Sequence, residues 1–445
     1  MQCDLVIKGC SVLTPEFEVK ENQNVYIKDS KIIKIDDSAV LAEIYESSET
    51  LNGKGKLLMP GLIDAHTHTC QQLLRGRTMD EYPMIWARIL VPFESNLDSD
   101  TVYTSAQLSC LEMIKSGTTG FADSGGLHMD RVVEATIESG MRAAITKSSM
   151  DMGAFIPDVM IGSPDEIITD VENLYKDYNG TGDGRIQIWF ALRQVMTCSP
   201  RLIEKTAEKA ALYKTGLHAH LAEHRDEVSF CLQNYKMRPA ELLDEYGALG
   251  PNLLTAHNVA LSEQEIDLLC DREVKVVHCP RNNFASHGFP KTPRMLQEGI
   301  SIGIGSDGAA GASLSLFDEM RVFRSGLHAF WGLPVFDPVV IPAKELLKMI
   351  TSGGANALQL GDEIGTIEVG KKADLILVDI DQPHISPTYN MINTIVEAVN
   401  GNDVVDSIID GKIVMKNREV LTLDEEHILY ESKKGMKFMV EKTGI

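Results

Sequence analysis

The sequence has no ordered cysteine spacing: its eight cysteines, at 3, 10, 70, 110, 198, 231, 270 and 279, are scattered, and no two stand in C-x-x-C register. That excludes a structural zinc knot or a redox dithiol and leaves reduced thiols packing small buried volumes. Long apolar runs are missing too. None approaches the roughly 18 residues of a membrane span, and the opening Met-Gln-Cys-Asp-Leu-Val-Ile-Lys has no basic stretch leading into a signal-peptide core. A cytoplasmic protein is expected. Positive charge is short, with 42 Lys and Arg against 64 Asp and Glu, a formal charge of −22. Such a surface repels nucleic acid phosphates and anionic membranes and suits a small neutral or cationic substrate. No internal repeat or low-complexity tract is evident, and 44% hydrophobic with 24% charged residues is a globular composition.

A chain of 445 residues can hold two or three domains, or one barrel with small additions. Residues 1–58 read as short strands (4–8, 24–28, 31–35 and 56–59) between turns and charged segments, a small β unit. From residue 57 the rhythm changes to short apolar strands followed by amphipathic helices, which signals parallel βα units. Eight strands can be counted, at 57–64, 118–122, 142–146, 186–192, 215–220, 252–256, 274–278 and 301–305. Helical patterns at 100–115, 130–139, 199–213, 262–271 and 293–298 lie between them. The fold class is therefore α/β: a (β/α)8 TIM barrel over 59–364, with a small composite β-sandwich domain formed from both chain ends, 1–58 and 365–445. The second end includes a terminal helix at 424–442. Two loops are long: 69–96, expected over the barrel mouth, and 328–342, a lid or an oligomer contact.

His66 and His68 end the first barrel strand. Residues i and i+2 of a strand share a face, so the two imidazoles can converge on one ion. Barrel active sites lie at the carboxyl ends of strands, and three further ends carry polar residues. The fifth holds His218, His220 and Glu223, the sixth His257, and the eighth Asp307. His220 is the expected third ligand, with His218 one layer lower as packing or a supporting contact. Asp307 before Gly308 also suits a turn, but opposite three histidines it reads as the fourth ligand. Glu223 is placed to move protons on water without binding the ion.

These motifs, His66-Thr67-His68, His218-Ala219-His220-Leu221-Ala222-Glu223, Ala256-His257, Ser306-Asp307-Gly308 and the returning Gly370-Lys371-Lys372-Ala373-Asp374-Leu375, resemble the amidohydrolase superfamily. The likeness is greatest to its branch of S-adenosylhomocysteine and methylthioadenosine deaminases and triazine hydrolases. The resemblance implies one divalent ion per subunit, zinc or sometimes iron, on His66, His68, His220 and Asp307, with Glu223, His257 and Asp307 acting on water and substrate. Binuclear relatives place a bridging Lys or Glu at the fourth strand end, and 186–194 offers neither. The resemblance also places Trp86 and Glu94 near the substrate, the carboxylate holding ribose hydroxyls. Gln194, Cys198, Arg281 and Asn282 join Glu223 as expected substrate contacts. Cys198-Ser199-Pro200, Lys147 and Cys279-Pro280-Arg281-Asn282-Asn283 depart from the family's usual patterns, so the pocket has drifted around preserved chemistry. The implied activity is hydrolytic deamination of an amino-substituted N-heterocycle, foremost an adenine nucleoside derivative. Alternatives are a triazine chlorohydrolase or alkylaminohydrolase, a pterin or guanine-like base deaminase, and a non-enzymatic scaffold. A homo-oligomer is expected.

Overall fold

The computed structural model describes residues 2–37, 46–82, 84–311 and 313–445. The chain begins with β1 (Gln2–Leu13), β2 (Val19–Lys28), β3 (Lys31–Asp36), β4 (Glu46–Asn52) and β5 (Lys56–Pro60). β1 pairs antiparallel with β2 on one side; on the other it runs parallel first to β4 and then to β5. Alternate residues Leu5, Ile7, Val25 and Ile27 bury one face with Leu58, Leu375 and Ile408.

Pro60-Gly61 then separates two sheets. The expected strand at 57–64 is in fact two: β5 stays with the small sheet, and β6 (Leu62–Thr67) opens the barrel. Gly61 is required at the crossing, since a Cβ there would lie 2.0 Å from Thr119 Oγ1.

The barrel continues through β7 (Thr118–Asp123), β8 (Arg142–Thr146), β9 (Ile186–Gln194), β10 (Leu217–Leu221), β11 (Leu253–His257), β12 (Lys275–His278) and β13 (Ile302–Ile304), neighbouring in sequence order. Both faces of these strands are covered, so they read as unbroken apolar runs rather than alternations. Between them, helices Ser99–Lys115, Pro164–Tyr178, Pro200–Tyr213 and Glu263–Asp271 each start at an Asp or Ser whose side chain accepts a first-turn N–H, a contact worth about 1 kcal/mol apiece. Ile63, Ala65, Ala122, Ala144, Trp189, Leu254 and Val277 form one buried cluster of strand side chains. The interior is a packed core, which leaves polar side chains for the strand ends.

The barrel closes where β13 meets β6. Asp307 N–H donates to the His66 carbonyl at 2.9 Å. Ser306 donates from its N–H (2.9 Å) and its hydroxyl (2.6 Å) to the Asp64 carboxylate. At Gly305 a Cβ would stand 2.6 Å from the His66 oxygen, so only glycine lets the two strands approach this closely.

After the barrel come two short helices, Ala343–Ile350 and Ser352–Ala357, separated at Thr351. The stretch at 365–379 yields a single strand, β14 (Leu375–Asp379), followed by β15 (Val404–Ile409), β16 (Lys412–Lys416) and β17 (Glu419–Val420). β14 pairs antiparallel with β5, so both chain ends build one continuous mixed sheet in the order β17-β16-β15-β14-β5-β1-β2-β3, with β4 beside β1. A buried ion cluster ties this sheet to the barrel: Arg142 of β8 donates to Asp374 (Nε–Oδ2 2.8 Å) and to Asp410 (3.3 Å). Helix Glu425–Thr443 ends the fold. The mouth loop holds a turn at Trp86–Leu90 and a short helix Val91–Glu94. The second long loop exposes Leu333, Val335 and Phe336. Among the described residues no helix is long and apolar enough to cross a membrane.

Candidate active site

The strand ends of β6, β10 and β13 bring His66, His68, His220 and Asp307 together, with one ligand atom from each lying within 4.8 Å of the others. His66 Nε2 stands 3.1 Å and His68 Nε2 3.6 Å from Asp307 Oδ1, and the Nε2 atoms of His68 and His220 are 3.3 Å apart. Burial, reinforced by the neighbouring imidazoles, pushes His68, His218 and His220 well below the usual histidine range. They are neutral bases with free lone pairs. Burial raises Asp307, but His257 and His66 outweigh it and hold the carboxyl below its ordinary value. Three imidazoles, two of them held neutral, and a carboxylate in this arrangement fit a divalent ion of the zinc type, so the chain carries a histidine metal site. A second set, His66, His257, Cys279 and Asp307, shares two of these residues.

Support comes from beneath. His66 Nδ1 lies 2.9 Å from His218 Nε2. With the proton on Nδ1 and donated to His218, His66 presents its bare Nε2 to the site. Ser124 Oγ lies 2.8 Å from His68 Nδ1. Asp64 is raised to about 7 by burial, against hydrogen bonds from Ser306 and His66.

Glu223 stands beside this group. Its Oε2 accepts from Gln194 Nε2 at 2.8 Å, its Oε1 is 3.2 Å from His287 Nε2, and His257 Nε2 is 3.9 Å from the same oxygen. Burial alone would raise this carboxyl, but His257, His287 and His224 together hold it far below the carboxylate range. Its N–H and that of Ala222 donate to Glu227 at 3.0 and 2.9 Å, which fixes the turn out of β10.

The tautomer of His257 follows from its neighbours. Asn283 Oδ1 accepts from the Cys279 N–H at 3.0 Å, so its Nδ2 faces His257 Nδ1, also at 3.0 Å. Nδ1 is then the acceptor and Nε2 carries the hydrogen. That Nε2 is buried and hydrogen-bonded to no protein atom among the described residues. It is a donor free for an attacking oxygen.

The expected substrate contacts divide. Gln194 and Asn282 belong to the cluster, the latter donating to Asp307 Oδ2 at 2.8 Å. Trp86 packs against the buried group Val91, Met150, Ile156 and Met160, and its indole N–H has no hydrogen-bond partner among the described residues. Glu94 is 1% exposed and paired with Arg193, itself 2% exposed, through Nη1–Oε2 (3.2 Å) and Nη2–Oε1 (3.1 Å). Gln71 donates to the same carboxylate at 2.6 Å. Cys198 and Arg281 are turned to other partners: the thiol donates to the Ser149 carbonyl at 3.3 Å, and the guanidinium faces Glu319 and Asp318. Lys147 pairs with Asp170 on the outer helix. Sequence reasoning missed Arg193, Asn283 and His287. Arg193 lies at the end of β9, and Asn283 and His287 in the loop after β12, where a barrel displays its polar residues.

Residues 57–414 match the model of the Amidohydrolase family. A 5-methylthioadenosine/S-adenosylhomocysteine deaminase of Pelotomaculum thermopropionicum is 36% identical over 444 residues, covering 99% of each chain. A 5'-deoxyadenosine deaminase of Methanosarcina acetivorans is 34% identical over 446 residues, again covering 99% of each. Among solved structures, an adenosine deaminase from Xanthomonas campestris with bound zinc superposes with a TM-score of 0.91 at 28% identity, over 98% of this chain and 99% of that one. The atrazine chlorohydrolase of Arthrobacter aurescens TC1 shares the fold, with a TM-score of 0.88 at 23% identity over 97% of this chain and 100% of that one. With the family model spanning barrel and ligands alike, and relatives matched end to end, this chain belongs to the amidohydrolase family.

Proposed function

We propose that the chain is a zinc-dependent aminohydrolase with one ion per subunit, and that it removes ammonia from an adenine nucleoside altered at the 5′ position, such as methylthioadenosine, S-adenosylhomocysteine or 5′-deoxyadenosine. The observation that carries this reading is the ionised, buried Glu223 beside the cluster of His66, His68, His220 and Asp307. His66, His68, His220 and Asp307 would hold the metal, which when bound is a Lewis acid that brings the pKa of water to about 7. Glu223 takes one proton from the attacking water and delivers it to the ring nitrogen next to the amino-bearing carbon. The His257 Nε2–H orients the attacking oxygen as it bonds to that carbon. Asp307 takes the second water proton and returns it to the amino group, whose bond to carbon breaks to release ammonia. Gln194 holds the shuttle in place, and Trp86 offers an indole N–H to the substrate. We place self-association at the exposed loop around Leu333 and Phe336.

A second reading, deamination or dechlorination of a heterocycle without ribose, is favoured by the state of Glu94. Its carboxylate is spent on Arg193 and Gln71 rather than open to a sugar diol. A screen for release of ammonia or chloride over 5′-substituted adenosines, free purines, pterins, aminotriazines and chlorotriazines decides between them. Turnover of the adenosines is expected. Turnover confined to a base, pterin or triazine would overturn the nucleoside assignment.

A further inference from the structure

We propose that His287 is a positioning residue for the proton shuttle, holding the Glu223 carboxylate from the side opposite Gln194. The proposal rests on the reading of Glu223 as the proton carrier.

His287 ends the turn Asn283–His287 in the loop after β12, and His287 Nε2 lies 3.2 Å from Glu223 Oε1. The other oxygen, Oε2, is held by Gln194 from the end of β9 at 2.8 Å. The carboxylate is therefore gripped by two different strand ends, while the main chain behind it is fixed by Glu227. Two of these three restraints act on side-chain atoms, and only the His287 contact reaches the oxygen shared with His257. A group that must take a proton at one atom and release it at another works only when both its distance and its orientation are set. Without His287, the His257 nitrogen 3.9 Å from Oε1 lies beyond hydrogen-bond reach, and the carboxylate can rotate about its Oε2 contact.

The surroundings suit a donor at this place. Glu223 and Asp307 face the His287 imidazole with negative charge, and Glu227, raised to about 8 by burial, lies behind them, while His224 and His257 lie beside it with ring centroids 5.8 and 6.4 Å away. With a side chain 21% exposed, His287 lies toward solvent, so it can be replaced without opening the packed interior.

The test uses two variants of the metal-loaded enzyme on its best substrate. His287→Leu keeps bulk and removes the N–H; His287→Gln keeps a donor of similar reach. If the contact positions Glu223, the Leu variant should lose about tenfold or more in kcat with KM changed by less than about threefold. The Gln variant should recover most of that loss, and metal content and melting temperature should stay near wild type in both. A Leu variant with kcat within about twofold of wild type would overturn the proposal, as would Gln and Leu being equally impaired, which would signal lost shape rather than a lost hydrogen bond. If His287→Leu is harmless while Glu223→Gln is inactive, only this proposal fails. If Glu223→Gln stays active, the shuttle reading itself fails.

Discussion

Removing the Glu94 carboxylate is the perturbation that separates a structural from a sugar-binding role. In the native fold Arg193 gives two charge-assisted hydrogen bonds to Glu94, and its remaining contact is the Gly125 carbonyl at 3.3 Å. Glu94→Ala would leave a guanidinium buried with one neutral acceptor and would strip Gln71 of its partner. Hydrogen bonds to charged groups contribute about 1.5–3 kcal/mol each, and breaking one side of a buried pair typically costs about 3–5 kcal/mol; the second range is the expected loss. Glu94→Ala with Arg193→Met removes both charges together. Most of the loss should then return, leaving about 1–2 kcal/mol for the unfilled volume and the unpaired Gln71. Urea unfolding, read where circular dichroism and fluorescence transitions coincide, gives the stability of each variant. Activity is read on a nucleoside and on its free base. A structural Glu94 damages both equally, whereas a sugar ligand damages only the nucleoside. A single variant within 1 kcal/mol of wild type, or a double variant as unstable as the single, would refute the buried-pair argument.

Glu223→Gln should lower kcat by about 10²–10⁴-fold with metal content unchanged; a metal-replete variant retaining half its activity would remove the shuttle role. His218→Leu takes away the acceptor 2.9 Å from His66 Nδ1 and should weaken metal affinity by about 10–100-fold, measured by competition with a chelator; unchanged affinity would deny His218 any part in orienting the ligand. Burial raises Glu319 to about 8 despite its hydrogen bond from the Arg281 N–H. The folded chain therefore holds a proton that the unfolded chain releases near its ordinary, lower value, so this group's contribution to stability declines as pH rises from about 5 to 8. Glu319→Gln should flatten that decline in urea midpoint, and an unchanged slope would place the titration elsewhere.

Much of the barrel was legible because its strands are buried on both faces and so stand out as apolar runs between amphipathic helices. The clustered histidines were legible for a different reason: alternation along a strand fixes which side chains share a face. Where a segment's conformation is set by a neighbour rather than by its own pattern, that reading fails. β4 has only Leu51 fully buried among exposed Glu, Ser and Thr, and it is a strand because its backbone pairs with the edge of β1. The break at Gly61 is equally silent, because its cause is the side chain of Thr119 on the next strand. Arg193 and Glu94 are 99 residues apart, and no spacing rule joins them.

The backbone at the site shows why the remaining geometry could not be read locally. Ala222, His257 and Asp307 all sit at positive φ (48°, 74° and 61°) without being glycine, a conformation that costs about 1–2 kcal/mol per residue. Local preference alone would put glycine or asparagine there. Tertiary contacts hold these residues in place instead: Ala222 gives its N–H to Glu227 at 2.9 Å and accepts from the Ala260 N–H at 2.8 Å. The His257 carbonyl accepts from His278 Nδ1 at 2.9 Å, and the Asp307 N–H is tied to the His66 carbonyl at 2.9 Å. Each strained residue thus carries or adjoins a side chain that must point back over the barrel mouth, and each is bonded to an adjacent strand or its following loop. The strain is met by the closed sheet, which is the one feature of the fold that no stretch of sequence contains by itself.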